Sequence, residues 1–248
     1  MTTEGRGGDD MPATMTDEFR SLLAQVSTAS LTAQLVKKGF RTRAISNIAP
    51  VNPATPRLFG PAYTLRYIPM REDLATSAAM TDPNNPQRRS IETAPPGSVI
   101  VVDTHGMDLS GTFGDILVAR LRVRGVAGVV SDGPMRDIAE LKKMDLPVFA
   151  RGNAAPPSYA SMLAVDAEIP ISCGGVAVFP GDLVVGDADG VVVLPPAVAE
   201  SVVRDAVDQD RLEAYLRQRV EAGASIIGTY PPSDETRAAY QAWLKTRR

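Results

Sequence analysis

The chain has 248 residues, of which 44% are hydrophobic and 22% are charged, so it is long enough to bury the core of one large domain. Its formal net charge is −3 and its lysines and arginines are scattered, which argues against a nucleic-acid-binding surface, since that surface needs a concentrated basic face. One cysteine and one histidine exclude a disulfide framework within the chain and any metal site built from several cysteines or several histidines.

The N-terminal stretch, MTTEGRGGDDMPATM, lacks the apolar segment of a secretory signal. No apolar run in the sequence approaches the roughly 20 residues that a membrane-spanning helix needs. We therefore expect a cytoplasmic protein that does not associate with membranes. Residues 1–14 are rich in Gly, Thr and Asp, and we expect them to form a disordered tail.

The patterns in the first third of the chain predict helices before any strand. Two short helices come first, capped by residues such as Thr16 and ended at Gly39. A strand, a third helix and a polar loop rich in Pro and Asn then follow. In chain order these five elements span about 16–26, 30–38, 62–67, 72–79 and 81–90.

The central part of the chain alternates strands and helices. The run SVIVVD is nearly continuous in β-branched residues, as expected for a strand that is buried on both faces. A Gly-rich loop separates it from the next helix, and the order of the following elements predicts a βαβ core with parallel pairing. The predicted strands span 98–103, 126–131 and 147–150, and the predicted helices span 114–124 and 134–144.

From residue 164 to residue 194 the chain changes to short β segments broken by turns, which predicts hairpins or a meander. The stretch Asp187–Gly190 predicts a turn between two strands, because it lacks the remaining ligands of a calcium loop. A long amphipathic helix is expected from Pro196 to about residue 222, and a last short helix after Ser233. We predict one α/β domain with helical extensions at both ends.

The helix after Gly114 offers a possible anion site. The first turn of a helix leaves backbone N–H groups unpaired and carries a partial positive charge, so it attracts carboxylates and phosphates. Glycine lets a ligand approach that backbone closely. The alternative is an ordinary helix start whose first acid favours the helix dipole, an arrangement that is common in α/β proteins.

The next strand ends in a second group of polar residues. Asp132-Gly133 predicts a tight turn out of the strand, and Arg136 and Asp137 are expected in the first turn of the following helix. Asp137 and Glu140 are spaced i, i+3 and share a face, so together they could hold a hydrated Mg²⁺. Arg136 could pair with a substrate carboxylate through two hydrogen bonds. The alternative is an exposed Arg136–Glu140 ion pair, with Asp137 stabilising the helix start.

These motifs together resemble the 4-hydroxy-4-methyl-2-oxoglutarate aldolase/RraA-like family. The resemblance covers roughly residues 31–216, and it implies a single-domain swivelling α/β sandwich with a βαβ core and a C-terminal β hairpin region. It also implies a homotrimer or homohexamer with a Mg²⁺ or Mn²⁺ site near the subunit interface. The matching motifs are Gly114-Asp115-x-Leu117, Asp132-Gly133, Arg136-Asp137-x-x-Glu140, Phe179-Pro-Gly-Asp182 and Asp187–Pro195. We accordingly divide the chain into a tail (1–14), an RraA-like domain (15–225) and a C-terminal helical extension (226–248).

The resemblance also implies roles for individual residues. Arg136 would contact the keto or enolate oxygen of a small 2-oxo acid, Asp137 would anchor the metal and Glu140 would hold a water of that metal. The protein would be a class II aldolase that releases pyruvate from a 4-hydroxy-2-oxo acid, with oxaloacetate decarboxylation as a side activity. The backbone amides that would hold the pyruvate carboxylate are those of Gly114, Asp115, Ile116 and Leu117.

The sequence leaves two other functions open. The family includes regulators that bind ribonuclease E without catalysis, but the acid at Glu140 is typical of the aldolases and favours an enzyme. A metal-dependent lyase or isomerase acting on sugar-derived oxo acids is the other alternative, because the flanking helices could reshape the pocket.

Three residues outside the main motifs are weaker candidates. Asp103 and His105 follow a buried strand and could lie near the substrate, although a loop histidine bonded to the backbone is the plainer interpretation. Arg151 could bind the far end of an acidic substrate, although a surface ion pair is the plainer interpretation. Cys173 is expected to be a small buried apolar residue.

Overall fold

The longest strand, β2 (Leu58–Pro69), organises the sheet because its parts pair with different neighbours. Its first residues pair antiparallel with β9 (Leu183–Asp187). Its middle pairs parallel with β3 (Val99–Asp103), and its last residues pair antiparallel with β6 (Met162–Ala167). Strand β2 therefore joins the parallel core to the C-terminal β segments. The computed structural model describes residues 15–246, apart from the side chains of Ser77 and Met80.

The remaining strands extend this sheet on both sides. The strand order is β1-β5-β4-β3-β2-β9-β10, with β6 paired to β2 beside this path. Strands β3, β4 and β5 are parallel neighbours, which confirms the predicted βαβ core. A separate antiparallel pair, β7 and β8, packs under the sheet. The bounds of these strands are β1 (Ala49–Pro50), β4 (Gly128–Met135), β5 (Val148–Asn153), β7 (Ile171–Cys173), β8 (Val176–Val178) and β10 (Gly190–Leu194).

The helices lie at both ends of the chain and between the parallel strands. The helices are α1 (Asp17–Gln25), α2 (Thr28–Lys37), α3 (Ser77–Thr81), α4 (Pro86–Thr93), α5 (Asp115–Val123), α6 (Ile138–Leu141), α7 (Pro196–Glu221) and α8 (Asp234–Lys245), with a short 3-10 helix at Ser158–Ala160. The long helix α7 begins and ends close to where the amphipathic pattern predicts it, and α8 begins directly after Ser233, as predicted.

The core lies on both faces of the parallel strands. Along β3, Ile100 and Val102 pack into the cluster covered by α4 and α5, whereas Val99 and Val101 pack into the cluster covered by β7 and β8. Every residue of β3 and β4 is buried, which explains why residues 99–102 of β3 are continuously apolar instead of alternating. Cys173 is fully buried in the second of these clusters, as predicted.

A third apolar cluster joins the chain's two ends, because α1, α2 and α7 pack on β9 and β10. Polar contacts fix these helices: the Asp187 carboxylate accepts hydrogen bonds from the backbone N–H and hydroxyl of Thr28, at 2.7 and 2.6 Å. Asp187 and Gly190 bound the β9–β10 hairpin, which confirms the predicted turn. In the C-terminal extension, Trp243 packs against Tyr215 with ring centroids 5.2 Å apart.

The predicted helix at 134–144 is wrong in its first half. Strand β4 continues to Met135, because Pro134 and Met135 pair with Gly152 and Asn153 of β5 after an irregularity in the register. Asp132-Gly133 is therefore part of the strand and not a turn out of it. Only the four residues of α6 are helical in this region.

The loop predicted at 81–90 is also wrong in part, because α4 begins inside it. Asn85 caps this helix by accepting a hydrogen bond from the N–H of Gln87, and Pro86 occupies its first turn. Both residue types favour loops but also favour helix starts. The helix predicted at 72–79 lies later, at Ser77–Thr81.

The described residues contain no helix that is long and apolar enough to cross a membrane. The disordered tail predicted for residues 1–14 lies outside the described part of the chain, as do the last two residues of the predicted C-terminal extension.

Candidate active site

The start of α5 lies against the end of β4, as the sequence predicts. The N–H of Arg136 donates to the carbonyl of Phe113 over 2.9 Å, and the N–H of Thr112 donates to the carbonyl of Pro134 over 2.8 Å. The backbone N–H of Asp115, in the first turn of α5, donates a hydrogen bond to Oδ2 of Asp137, with 3.3 Å between nitrogen and oxygen. The two stretches that carry the predicted site therefore form one corner of the molecule.

Two glycines make this corner possible. A Cβ atom on Gly114 would lie 2.4 Å from Oδ2 of Asp137, and a Cβ on Gly111 would lie 2.3 Å from Cγ of Arg136. Both distances are far shorter than a van der Waals contact, so a side chain at either position would displace Asp137 or Arg136. Gly114 stands in the predicted motif. Gly111 does not, and only the surrounding Gly-rich loop could have signalled it.

Asp137 has an unusual backbone conformation. Its φ of 55° and ψ of 40° lie in the left-handed region, which a residue with a Cβ adopts at a cost. It precedes α6 as the N-cap residue, so the expectation that Arg136 and Asp137 lie in the first helical turn is wrong. The left-handed turn reverses the chain and holds the carboxylate against the start of α5.

Arg136 is a half-buried cation without a partner. Among residues 15–246 its guanidinium has neither an ion pair nor a hydrogen bond, and it lines a cavity next to Gly111 and Gly114. The alternative Arg136–Glu140 ion pair does not form, because Glu140 Oε1 pairs with Nζ of Lys143 at 2.7 Å. Arg136 is therefore available to a ligand.

The cavity has an empty volume of about 700 Å³, which includes space open to solvent. One wall comes from the corner of Gly114 and Arg136, and the opposite walls come from the end of β2, the start of α4 and the 3-10 helix. The described side chains that line it include two arginines, Arg88 and Arg136, and no carboxylate. An arrangement of this kind favours an anionic ligand.

The predicted carboxylate cradle is partly occupied by the protein itself. Of its four amides, that of Asp115 faces Asp137, and that of Ile116 donates to Oδ1 of Asp115 over 2.8 Å. Gly114 and Leu117 line the cavity. A ligand carboxylate at this helix start would meet these two residues first, and it would have to replace the Asp115 and Asp137 carboxylates at the other two amides.

The oxygen donors fit a partly hydrated cation better than a closed metal site. Among the described residues, no group of three or more His, Cys, Asp or Glu side chains could hold a metal ion. Mg²⁺, however, is often bound by one or two carboxylates, with waters and substrate oxygens completing its shell. The exposed carboxylate of Asp137 fits this role, because its Oδ1 accepts no hydrogen bond from the described part of the chain. Glu140 is engaged by Lys143 in this arrangement.

The three weaker candidates lie outside the cavity. Asp103 is fully buried and accepts hydrogen bonds from the N–H groups of His105 and Ser172, so it joins the β3 exit to β7. His105 itself has a φ of 53° and is partly exposed, with Nδ1 4.0 Å from Oδ1 of Asp103. Arg151 packs over Gly106 and forms no ion pair among the described residues. None of the three candidates lines the cavity.

Asp132, from the Asp-Gly pair of the motif, also acts inside the fold. It accepts hydrogen bonds from the N–H and hydroxyl of Thr104 and from the N–H of Gly174, at 2.7, 2.9 and 3.1 Å. The buried carboxylate thereby joins the loop after β3 to the β7–β8 turn. It also contributes to raising the pKa of the nearby Cys173 thiol, although burial is the larger cause.

The chain is similar in sequence to known proteins and in fold to solved structures. The chain is 37% identical over 185 residues to a protein of Halalkalibacterium halodurans named "Putative 4-hydroxy-4-methyl-2-oxoglutarate aldolase", and the match covers 73% of this chain and 81% of that protein. The crystal structure of Streptomyces coelicolor RraAS2, described as an unusual member of the RNase ES inhibitor RraA protein family, superposes with a TM-score of 0.71 at 32% identity. It covers 82% of this chain and 96% of that one.

A second solved structure, an uncharacterized protein from Pseudomonas syringae pv. tomato, has a TM-score of 0.72 at 28% identity. It covers 85% of this chain and 97% of that one. The family model described as RraA-like, Aldolase/RraA, matches residues 23–193, which include both halves of the corner and the first hairpin strands after it. The chain therefore belongs to the RraA-like family.

Proposed function

We propose that this protein is a divalent-metal-dependent aldolase that cleaves a 4-hydroxy-2-oxo acid to pyruvate and a carbonyl product. The observation that carries the proposal is the unpaired guanidinium of Arg136, which lines a cavity without carboxylates and directly precedes Asp137. The name of the Halalkalibacterium halodurans relative supports the same reaction class.

The cleavage needs a cation at the keto oxygen. When the C3–C4 bond breaks, its electron pair moves onto the pyruvate half and gives an enolate, so negative charge develops on the former keto oxygen. The planar guanidinium of Arg136 can donate two hydrogen bonds to that oxygen and to a neighbouring carboxylate oxygen. Donors aimed at that oxygen would stabilise the negative charge as it develops in the transition state. The amides at the start of α5 would hold the pyruvate carboxylate.

Asp137 would hold Mg²⁺ or Mn²⁺, with waters and the substrate as further ligands and Glu140 as a candidate to orient one of the waters. Bound there, the ion would supply positive charge beside the keto oxygen and orient the 2-oxo acid. Asp137 is suited to this task because the left-handed turn fixes its carboxylate next to both Arg136 and the start of α5.

The C4 hydroxyl must also lose its proton during aldol cleavage. The described lining of the cavity contains no histidine and no carboxylate, so we assign this proton to a water held at Arg136. Decarboxylation of oxaloacetate passes through the same enolate but needs no such base. We therefore expect oxaloacetate decarboxylation as a side activity.

We also propose that the protein assembles into a homotrimer or homohexamer with this site near the subunit interface. Ile116 and Val123 lie seven residues apart on one face of α5, and their side chains are 77% and 72% exposed. Apolar exposure of this degree beside the site is what a partner subunit would cover. A cytoplasmic location is part of the same proposal.

The test is pyruvate release from a panel of 4-hydroxy-2-oxo acids and oxaloacetate, coupled to lactate dehydrogenase. We expect turnover with Mg²⁺ or Mn²⁺, loss of turnover with EDTA, and loss of turnover in Asp137→Ala. Full activity of Asp137→Ala in excess chelator would overturn the metal-dependent mechanism. Sugar-derived oxo acids belong in the panel, because turnover of these alone would favour the alternative lyase or isomerase.

A second function rests on the likeness to RraAS2, whose family is described as inhibiting RNase ES. This protein would then bind a ribonuclease of the E class without catalysis. Inhibition of such a ribonuclease by the purified chain, together with no turnover of any oxo acid, would favour the regulator over the aldolase.

A further inference from the structure

Gln87, in the first turn of α4, joins this helix to the loop before α5. Its side-chain Nε2 donates a hydrogen bond to the backbone carbonyl of Thr112 over 2.7 Å. A carbonyl oxygen only accepts hydrogen bonds, so the NH₂ group of the Gln87 amide must face it. Both residues line the cavity, and Thr112 precedes Gly114 by two positions. The contact therefore links the α4 wall of the cavity to the stretch that begins the candidate site.

The neighbouring carbonyl groups are satisfied within the corner itself. The carbonyl of Phe113 accepts a hydrogen bond from the N–H of Arg136 over 2.9 Å. The carbonyl of Pro134 accepts hydrogen bonds from the N–H and the hydroxyl of Thr112, at 2.8 and 3.1 Å. Among residues 15–246, the carbonyl of Thr112 has its hydrogen bond from the Gln87 side chain. This carbonyl thus depends on a different element of the fold.

An unpaired carbonyl at this place would oppose an anionic ligand. Thr112 is 1% exposed, so water has little access to the residue, and a buried carbonyl without a partner is unfavourable. Its oxygen carries partial negative charge in the wall of a cavity whose described charges are those of Arg88 and Arg136. The Gln87 amide occupies that oxygen, and it also fixes the loop that leads to Gly114.

Helix α4 has other attachments, which do not involve Thr112. Ile91 packs into the apolar cluster between α4 and the sheet. On the solvent side, the carboxylate of Glu92 accepts two hydrogen bonds from the Arg120 guanidinium of α5, at 3.0 and 2.7 Å. The position of α4 and the pairing of the Thr112 carbonyl can therefore be perturbed separately.

We propose that Gln87 is a positioning residue of the site, which pairs the Thr112 carbonyl and thereby prepares the start of α5 to receive an anion. A ligand carboxylate then meets the amides of the helix start without an opposing carbonyl oxygen. Gln87 acts through Thr112 and does not contact the reacting atoms. The identity of the anion, the pyruvate half of a 2-oxo acid, rests on the proposed aldolase function.

The test is pyruvate binding, measured by calorimetry in the presence of Mg²⁺. Gln87→Met has a similar length but no donor, so it should weaken binding about tenfold. Gln87→Glu should weaken binding about 100-fold at pH 8, because an ionised carboxylate cannot donate to the carbonyl and adds negative charge. A protonated carboxyl group can donate this hydrogen bond, so the deficit should shrink to less than about tenfold at pH 5.

Two control variants separate this effect from other causes. Gln25→Glu makes the same change at an exposed amide that donates to the carbonyl of Ser21 over 2.9 Å, away from the cavity. Glu92→Ala breaks the exposed pair between α4 and α5. Both variants should bind pyruvate as the wild-type protein does at pH 8 and at pH 5. The proposal is overturned if Glu92→Ala weakens binding as much as Gln87→Met, or if the deficit of Gln87→Glu is the same at both pH values.

Turnover and amide exchange separate this inference from the proposed function. Release of pyruvate from oxo acids with unchanged kcat/KM in Gln87→Met would leave the aldolase standing and overturn the role of Gln87. If the wild-type protein neither binds pyruvate nor turns over any oxo acid, the aldolase is rejected, and hydrogen exchange of the ligand-free protein decides the role of Gln87. Faster exchange at residues 112–118 in Gln87→Met than in Glu92→Ala would retain that role, and equal exchange would overturn it.

Discussion

Replacing Gly114 by alanine should disable the site while leaving the fold intact. The new Cβ would lie 2.4 Å from Oδ2 of Asp137, whereas ordinary contacts begin near 3.4 Å, so the carboxylate must retreat by about 1 Å. The next nearest atoms are 3.6 and 3.8 Å away, so the overlap falls on the end of one side chain. A displacement of about 1 Å in a catalytic group can lower the rate about 100-fold. The extended backbone of Gly114 suits alanine, so we expect a stability loss of only about 1 kcal/mol or less.

The assay is pyruvate release with saturating Mg²⁺, paired with urea denaturation. Gly152→Ala is the matched control, because nothing lies within 4 Å of its new Cβ. We expect kcat/KM to fall about 100-fold in Gly114→Ala and to stay unchanged in Gly152→Ala. If Gly114→Ala keeps kcat/KM within threefold of the wild-type value, the contact between Asp137 and the start of α5 is not needed for catalysis, and the reasoning is refuted.

Two further substitutions and one thiol modification test contacts in the candidate site and in the rest of the fold. Arg136→Lys keeps the charge but loses the planar pair of donors, so kcat/KM for pyruvate release should fall about 100-fold with unchanged circular dichroism. Asp210→Ala removes the acceptor of hydrogen bonds from Ser27 N, Ser27 Oγ and Ser30 Oγ, and the free energy of unfolding in urea should drop by about 2 kcal/mol. Burial raises the pKa of the Cys173 thiol, so at pH 8 iodoacetamide should modify it only after unfolding, as detected by mass spectrometry. Rapid modification of the native protein would contradict this burial.

The sequence predicts the elements that are set by hydrophobic pattern alone. Residues 99–102 of β3 are continuously apolar because helices cover one face of the strand and β7 and β8 cover the other. Helix α7 and the turn between Asp187 and Gly190 also follow local rules, which are amphipathic spacing and turn-forming residues. In these places the local preference and the tertiary contacts agree.

The failures occur where a distant partner decides the local conformation. The residues after Asp132 suit a helix, yet pairing with β5 extends β4 through Met135, and the register irregularity that permits this is not encoded in any local pattern. In the same way, Asn85 and Pro86 favour a loop and a helix start equally, and the packing of Ile91 into the core makes α4 a helix.

Only part of the candidate site could be predicted from the sequence. The motif identified Gly114, Arg136 and Asp137, which do lie together, because their spacing places them at neighbouring ends of one helix and one strand. Tyr67 and Arg88 reach the same cavity from other elements. A strand or helix pattern cannot show which of its side chains face a cavity, so these two residues could be found only from the three-dimensional arrangement.

The divided pairing of β2 makes the C-terminal hairpin inseparable from the cavity. Truncating the chain before β9 would uncover the backbone edge of Leu58–Pro61, and an unpaired strand edge is a template for aggregation. The same cut would remove the surface on which α1, α2 and α7 pack. The amide hydrogens of β2, including those near Tyr67, should therefore exchange with solvent only when the whole domain opens, and β9 and β10 should exchange at the same rate.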